Sequence, residues 1–441
     1  MSPPRRIGII GHVGNGNLGD EAIIDALLRG VREEIPDATF VGFTIRPADT
    51  EARHGIPSFP LRRGLDTGRT SAPGAASPPP TAAPASSNGW RTALRRTPGL
   101  GRFLAAAAAG TSWLREMIRE AAFWIVRYRR MRRVDLLIVA GSNQLSDYYG
   151  GAWGFPYTLW AWSLAARIAG ARVAFLSVGA GPIRARGSGL LIRMALALAT
   201  YRSYRDLGSR DAVAANGVPG PYLLAPDLAH GLRPSVRPGA AAPAESGTLV
   251  AINPLPYFDP RSWAERDAVI YQRYVDTMAA FTVMLRERGY RVRFVPTQLR
   301  ADPLVVTDIL RAIGERAGAI DGAASLQTSV TNFEDLVEQF SAADLVVAAR
   351  FHGVLISQML GKPTLGIVYR RSTRDLLADV GQGAYAVDIA DMTAEQLLER
   401  LAALERDHDA GDRIQRRLEI YRTELKAQYE TVLGSRRQER P

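Results

Sequence analysis

The sequence predicts an α/β protein with two successive Rossmann-like domains facing across a cleft, and three observations carry this. A short apolar strand, Ile7 to Ile10, runs into the glycine-rich turn Gly11 to Gly19 and then a helix from about Asp20 to Glu33. Short apolar runs alternate with longer helical periods along both halves, as in parallel strands covered by helices on both faces. A Pro/Ala/Gly stretch at Arg233 to Gly247 separates the two series and reads as an interdomain linker. The expected domains are 1–235 and 247–441, and 441 residues exceed the ~250–300 at which one core stops growing.

In order, Thr39 to Thr44 is the second strand and completes a β-loop-α-β unit. From about Arg63 to Trp90 the chain turns to Pro, Ala, Ser, Gly and Thr, including Pro78-Pro79-Pro80, and reads as a flexible insertion. Arg91 to Arg133 follows as a basic helical segment. Strands are then expected at Asp135 to Ala140, Arg172 to Val178 and Ser203 to Tyr204, with helices at Thr158 to Ala169 and Leu190 to Tyr201. After the linker come strands at Thr248 to Asn253, Val292 to Pro296, Asp344 to Ala348 and Thr364 to Val368. Helices are expected there at Asp267 to Arg288, Pro303 to Glu315, Phe333 to Ser341, Gly353 to Leu360 and Ala394 to Glu405.

Composition narrows the function. Cysteine is absent, which removes disulfides, thiolate nucleophiles and Cys-ligated zinc. No stretch approaches ~20 uninterrupted apolar residues. Arg5 and Arg6 lead into only four apolar residues, so no secretory leader is expected and the expected location is cytoplasmic. Only Lys362 and Lys426 are lysines, so 53 of the 55 basic residues are arginine. The net charge of +11 is concentrated: Arg91 to Arg133 holds eleven arginines and two acids, a net of +9, leaving +2 elsewhere.

Two strand-end turns carry candidate chemistry. In Gly11 to Glu21, Gly14, Gly16 and Gly19 fit G-x-G-x-x-G, but the second strand ends Thr44-Ile45-Arg46 without the acidic ribose partner of a dinucleotide site. The lysine of a phosphate-binding P-loop is missing too. A tight structural turn and an anion or sugar site both fit, with Asp20 and Glu21 serving the helix N-terminus. At the second turn, Arg350-Phe351-His352 joins a permanent cation, a group titrating near neutrality and a helix start. An anionic substrate that needs a proton suits it; the plainer reading pairs Arg350 with a surface carboxylate and makes His352 a cap. Position at a strand's carboxyl end favours function. Asp206 and Ser209 are expected to fix the turn after Arg205.

Together these residues resemble the polysaccharide pyruvyl transferases. The resemblance rests on Gly14 to Glu21 as G-x-x-N-x-G-D-E, Arg205-Asp206 to Ser209 as R-D-x-x-S, Ala225-Pro226-Asp227, and Arg350 to His352 as R-x-H ahead of Gly361-Lys362-Pro363, in the family's order. It implies a fold similar to the GT-B glycosyltransferases and transfer of a pyruvyl group from phosphoenolpyruvate to a sugar of a cell-surface or extracellular glycan, such as an exopolysaccharide of the cell envelope. It implies that Arg205 and Arg350 bind the donor's phosphate or carboxylate with help from Phe351, that His352 is the general acid, and that Asn17 lines the cleft with Gly14, Gly19 and Asp20. Where the family has a glycine run after the third main strand, this chain has Ala140-Gly141-Ser142-Asn143-Gln144, which weakens the acceptor side of the match.

Bidentate arginines suit a carboxylate and a phosphate better than lysines would. No metal-ligand set is visible, so no cofactor or metal is expected. His54, His230 and His408 fall in apparent loops or near the tail. Tyr148, Tyr149 and Trp153 are the expected acceptor contacts, whereas Trp160 and Trp162 fall in a helical pattern and read as core. The basic segment, with Trp113, Phe123 and Trp124, has three readings: an anionic membrane surface, nucleic acid, or a domain helix whose arginine stems cover apolar surface. Nucleic acid is disfavoured, as no motif is present and the flanking chain is nearly neutral. The membrane is preferred, placing the protein peripherally on the inner face of the cell membrane. The rival functions are a sugar-nucleotide glycosyltransferase or epimerase on the same fold, and a non-catalytic glycan-binding protein.

Overall fold

The computed structural model describes residues 5–63, 115, 118–148, 150–233, 247–263, 265–317 and 330–434. The expected insertion after Arg63, most of the basic segment, Tyr149 and the linker between 234 and 246 lie outside the described residues.

Seven parallel strands form the first sheet in the order β3-β2-β1-β4-β5-β6-β7. They are β1 (Arg6–Ile10), β2 (Thr39–Thr44), β3 (Ser58–Pro60), β4 (Leu136–Ala140), β5 (Arg172–Val178), β6 (Tyr201–Tyr204) and β7 (Leu223–Leu224). The second sheet has five parallel strands in the order β12-β11-β10-β8-β9: β8 (Leu249–Asn253), β9 (Arg291–Phe294), β10 (Leu345–Ala348), β11 (Thr364–Val368) and β12 (Ala386–Asp388). Both are doubly wound Rossmann-like orders. Each reverses direction once, between β1 and β4 in the first and between β8 and β10 in the second, and ligands of such sheets bind outside the strand ends at that reversal.

The main strands are apolar and buried on both faces, as in Leu136–Ala140 and Leu249–Asn253. Helix α1 (Leu18–Glu34) joins the two halves. Its Leu18, Ile23 and Leu27 belong to one apolar cluster with Phe340, Val354 and Leu355 of the second half. The closing helix, Ala410–Gly434, returns to the first sheet although it follows the second in sequence. There Gln428 accepts from Ser203 Oγ at 2.5 Å and donates to Ser177 Oγ at 3.2 Å.

Several element ends shift by one to four residues from expectation, most at one helix end. The helix expected to reach Tyr201 spans Ser188–Ala197, because Thr200 already bonds Val173 O through both its N–H and its hydroxyl. That pairing starts β6 at Tyr201, two residues early. Edge strands β3, β7 and β12 have only two or three residues, too few to show a period.

The described part of the basic segment contains a helix at 118–131 that packs on the first domain. Arg127 is buried there, its guanidinium 4.6 Å from the Trp162 ring centroid and bonded to the carbonyl of Leu61. Burial lowers its pKa to about 9. The covering role foreseen for arginine stems is therefore real for Arg127. Ile118, Ile125 and Val126 point to solvent. Among the described residues no helix is long and apolar enough to cross a membrane.

Candidate active site

The loops after β1, β4, β8 and β10 meet around a cavity of about 310 Å³, so the two reversal points face one another. That volume is at the small end of ligand pockets, ~300–1,000 Å³. From the first half come His12, Asn17, Asp20, Ser142, Tyr148 and Arg205; from the second come Arg261, Arg300, Arg350, Phe351, His352 and Arg370.

Asn17 caps α1, accepting from Gly19 N at 3.1 Å, and the next turn of chain seats against Thr297 and Gln298 of the second half. Gly14 has φ +81 and packs under Arg46, while its N–H bonds Glu21 Oε1 at 3.0 Å. It shapes the turn and does not line the cavity. Gly19 acts by close approach, since a Cβ there would lie 2.0 Å from His352 Cγ.

His352 sits in the first turn of the helix Phe351–Met359, after β10. Its ring is buried and its Nε2 has no hydrogen-bond partner. Burial lowers its pKa, against the pull of Asp20 and Asp227. Asp20 is buried in turn, which raises its pKa, while His352 and a Ser142 hydrogen bond pull the other way. Ser142 Oγ also lies 3.4 Å from His12 Nδ1. His12 packs edge-on to Phe155 and burial lowers its pKa to about 4. Asp20 and Ser142 thus stand between the two cleft histidines, with His12 neutral at physiological pH.

The arginines divide into two kinds. Arg205 reaches Asp206 and Asp227, each at 3.3 Å, and stacks 4.2 Å over the Phe351 ring. Arg350 pairs with fully buried Asp302 through Nε at 2.7 and 2.9 Å and through Nη2. Its carboxylate is therefore a buried one on the helix Asp302–Ala317, where a surface one was the plain expectation. Arg261 is held by Asp259 and Asp308. Among the described residues no carboxylate pairs with Arg300 or Arg370. Neither was singled out from sequence, because 53 arginines hide any one of them. Position is the signal that finds Arg370, two residues beyond β11, as it found Arg205 and Arg350.

As expected, Asp206 caps its helix, accepting from Ser209 N at 2.6 Å. Of the expected aromatic contacts, Tyr148 lines the cavity, Tyr149 lies outside the described residues, and Trp153 is 71% exposed against Tyr157, away from it. Trp162 is fully buried core. Asp147 holds a loop by accepting from Arg184 N and Ala185 N. Among the described residues no three His, Asp or Glu side chains gather as a metal site.

His54 lies at the end of the helix Pro47–His54, where a loop was expected, between Asp25 at 2.8 Å and Glu21 at 2.7 Å. His230 is likewise buried in a helical turn, Leu228–Gly231. Burial alone would lower the His54 pKa, but its bonds to Asp25 and Glu21 outweigh it and raise the value to about 9. A raised folded pKa stabilises fully below the unfolded value of ~6.5, and that contribution is lost as pH rises through the folded one. Melting temperature should therefore fall between neutral pH and pH 9, by a contribution of at most about 3 kcal/mol. In His54→Gln that part of the slope should vanish, which a melting series across pH would read.

The family model for polysaccharide pyruvyl transferase matches residues 17–371, about four-fifths of the chain and a span that includes Asn17, Arg205 and Arg350 to His352. The chain belongs to the polysaccharide pyruvyl transferase family. No curated protein is significantly similar to it in sequence. In fold, this pyruvyl transferase family member is similar to UDP-GlcNAc 2-epimerase from Methanocaldococcus jannaschii, with TM-score 0.53 and 10% identity over 94% of this chain and 99% of that one. It is also similar to UDP-GlcNAc 2-epimerase from Neisseria meningitidis bound to UDP-GlcNAc, with TM-score 0.51 and 11% identity over 98% and 100%. The fold is of the GT-B type, with two Rossmann-like domains. Membership of this family supports a transferase of polysaccharide biosynthesis.

Proposed function

We propose that the protein transfers the pyruvyl group of phosphoenolpyruvate to two hydroxyls of a glycan sugar, giving a cyclic ketal and phosphate. The observation that carries this is one cavity holding five arginines and a single lining acid, Asp20, around the unpartnered Nε2 of His352. A small, highly charged donor that needs a proton on carbon suits that set. Arg300 and Arg370, which no described carboxylate pairs, suit its carboxylate and phosphate, while Arg205 and Arg350 line the same cavity beside the aspartates that orient them.

His352 protonates the methylene carbon, which becomes a methyl group, and the neighbouring carbon turns electrophilic. One sugar hydroxyl adds there, the bond from that carbon to the phosphate oxygen breaks, and the second hydroxyl closes the ketal. Of the two hydroxyl protons, one restores His352 and the other leaves with the phosphate. Asn17 and Asp20 line the donor side, and Asp20 faces His352 across the cleft.

The deciding assay incubates the full chain with phosphoenolpyruvate and free or lipid-linked glycans, following phosphate release and mass gain on the glycan. Expected is a gain of 70 Da (pyruvate less water, ~88 − 18, by simple mass balance). Turnover of a nucleoside diphosphate sugar without phosphoenolpyruvate would replace this reading, and glycan binding with no turnover of either would leave a binding protein.

We also propose that segment 91–133 rests on an anionic membrane surface, with the protein on the cytoplasmic side. Support comes from the helix at 118–131, where exposed Ile118, Ile125 and Val126 stand among Arg119, Arg129 and Arg132. The protein should float with anionic vesicles, less so in high salt, and not with neutral ones. Equal flotation with both would remove the electrostatic part.

A further inference from the structure

Beside the arginine cavity lies a second one of about 440 Å³, walled by Tyr257, Phe258, Trp263 and Tyr369. The two cavities are continuous: Asn143, Tyr148, Arg205, Trp263, Tyr369 and Arg370 line both. The undersides of Tyr257, Trp263 and Tyr369 pack on the second domain's core, and each ring is only partly buried. Trp263 meets Tyr369 edge-on at 5.7 Å and lies near-parallel to Phe258 at 6.1 Å.

This wall is held in place at some cost. Three of its rings, Tyr257, Phe258 and Trp263, stand on the loop after β8, in which Phe258 has φ +58, a strained conformation for an aromatic residue. Fully buried Asp259 fixes the loop: its carboxylate binds Arg261 N at 2.8 Å and the Arg261 guanidinium at 2.8 to 3.2 Å. Its carbonyl accepts from Ser262 N and Trp263 N. Arg261 is anchored again on Tyr271 and Asp308. A solvent-facing loop tied down by buried charge, presenting aromatic faces to a cavity, is organised for a ligand with an apolar face and a polar edge.

We infer that this second cavity is the acceptor subsite, in which a pyranose ring of the glycan lies on the Tyr257, Trp263 and Tyr369 wall with its reacting hydroxyls directed past Arg370 to the donor. The inference rests on the pyruvyl-transfer reading for the donor and adds the acceptor's place and class. Growing chain leaves at the mouth, where exposed Arg184 and Glu265 face each other at 3.6 Å from opposite halves. This moves the acceptor contacts from Trp153 to the second domain and keeps Tyr148.

Saturation-transfer NMR with methyl pyranosides of neutral hexoses and N-acetylhexosamines, without phosphoenolpyruvate, reads the subsite directly, with UDP-N-acetylglucosamine as the comparison arm. Signals are expected from pyranosides in the wild type and not in Trp263→Ala or Tyr369→Ala. In turnover, each variant should raise the acceptor KM about tenfold or more, a larger factor than any accompanying change in the Kd for phosphoenolpyruvate, since both rings also border the donor cavity. Trp263→Phe, which keeps the packing, should fall between and shows whether loss of fold explains the alanine result. Pyranoside signals that survive both alanine variants, or that are absent from the wild type, would overturn the inference, as would signals from the nucleotide sugar alone. Failure of the wild type to release phosphate with any acceptor would remove the transfer reading instead, and leave the pyranoside result to stand by itself.

Discussion

His352→Ala should abolish phosphate release from phosphoenolpyruvate, a loss of about 10²- to 10⁴-fold in kcat, the range of a positioned general acid. The Kd for phosphoenolpyruvate should change little, because the charge that binds it is spread over Arg205, Arg300, Arg350 and Arg370. Full phosphate release by the variant with acceptor present would sink the assignment, and so would full release by Arg350→Ala. The pH dependence supplies a second reading. Burial holds the free-enzyme His352 below the ordinary imidazole value, so the fall of kcat/KM with rising pH should come below about pH 6.5. A bound anionic donor favours the imidazolium, so the same limb in kcat should shift upward. Identical limbs in the two profiles would show that the donor's charge does not reach His352.

Much of this site follows from strand ends. Arg205, Arg350 and His352 stand within four residues of β6 or β10 and could be singled out on that ground and on motif order. Arg300 could not, because five residues of irregular chain separate it from β9 and only the folded loop brings it over the cavity. Asp302 was invisible for another reason. Its side chain accepts from Thr297 N and Gln298 N and pairs with Arg350, a residue 48 positions away. Nothing local marks such a partner. The alternation of apolar runs fixed the long strands, whose burial on both faces demands it, but edge strands such as Ser58–Pro60 bury too little to write a pattern. The Trp263 wall leaves no pattern in the sequence because its loop, Tyr257 to Asp267, follows neither a helical nor a strand period.

Gly19→Ala should cost activity on the scale of His352→Ala, although it adds only one methyl group. Local propensity argues the opposite: Gly19 lies in the first turn of α1, where alanine is the better helix former by about 1 kcal/mol. Tertiary contact decides against it, since the new Cβ would fall 2.0 Å from His352 Cγ and 2.4 Å from its Nδ1. Either the ring turns out of its site or α1 and the second domain move apart. Overpacking of this kind destabilises by about 1 to 3 kcal/mol, so a lower melting temperature should accompany the loss of turnover. The double variant Gly19→Ala/His352→Ala separates the two effects. Removing the ring should restore most of the stability, with a coupling of about 1 to 3 kcal/mol between the sites, and should restore none of the activity. Wild-type melting and turnover in Gly19→Ala would mean that the glycine loop and His352 do not meet in the working enzyme, and the catalytic cavity would then have to be built on a more open arrangement of the two domains.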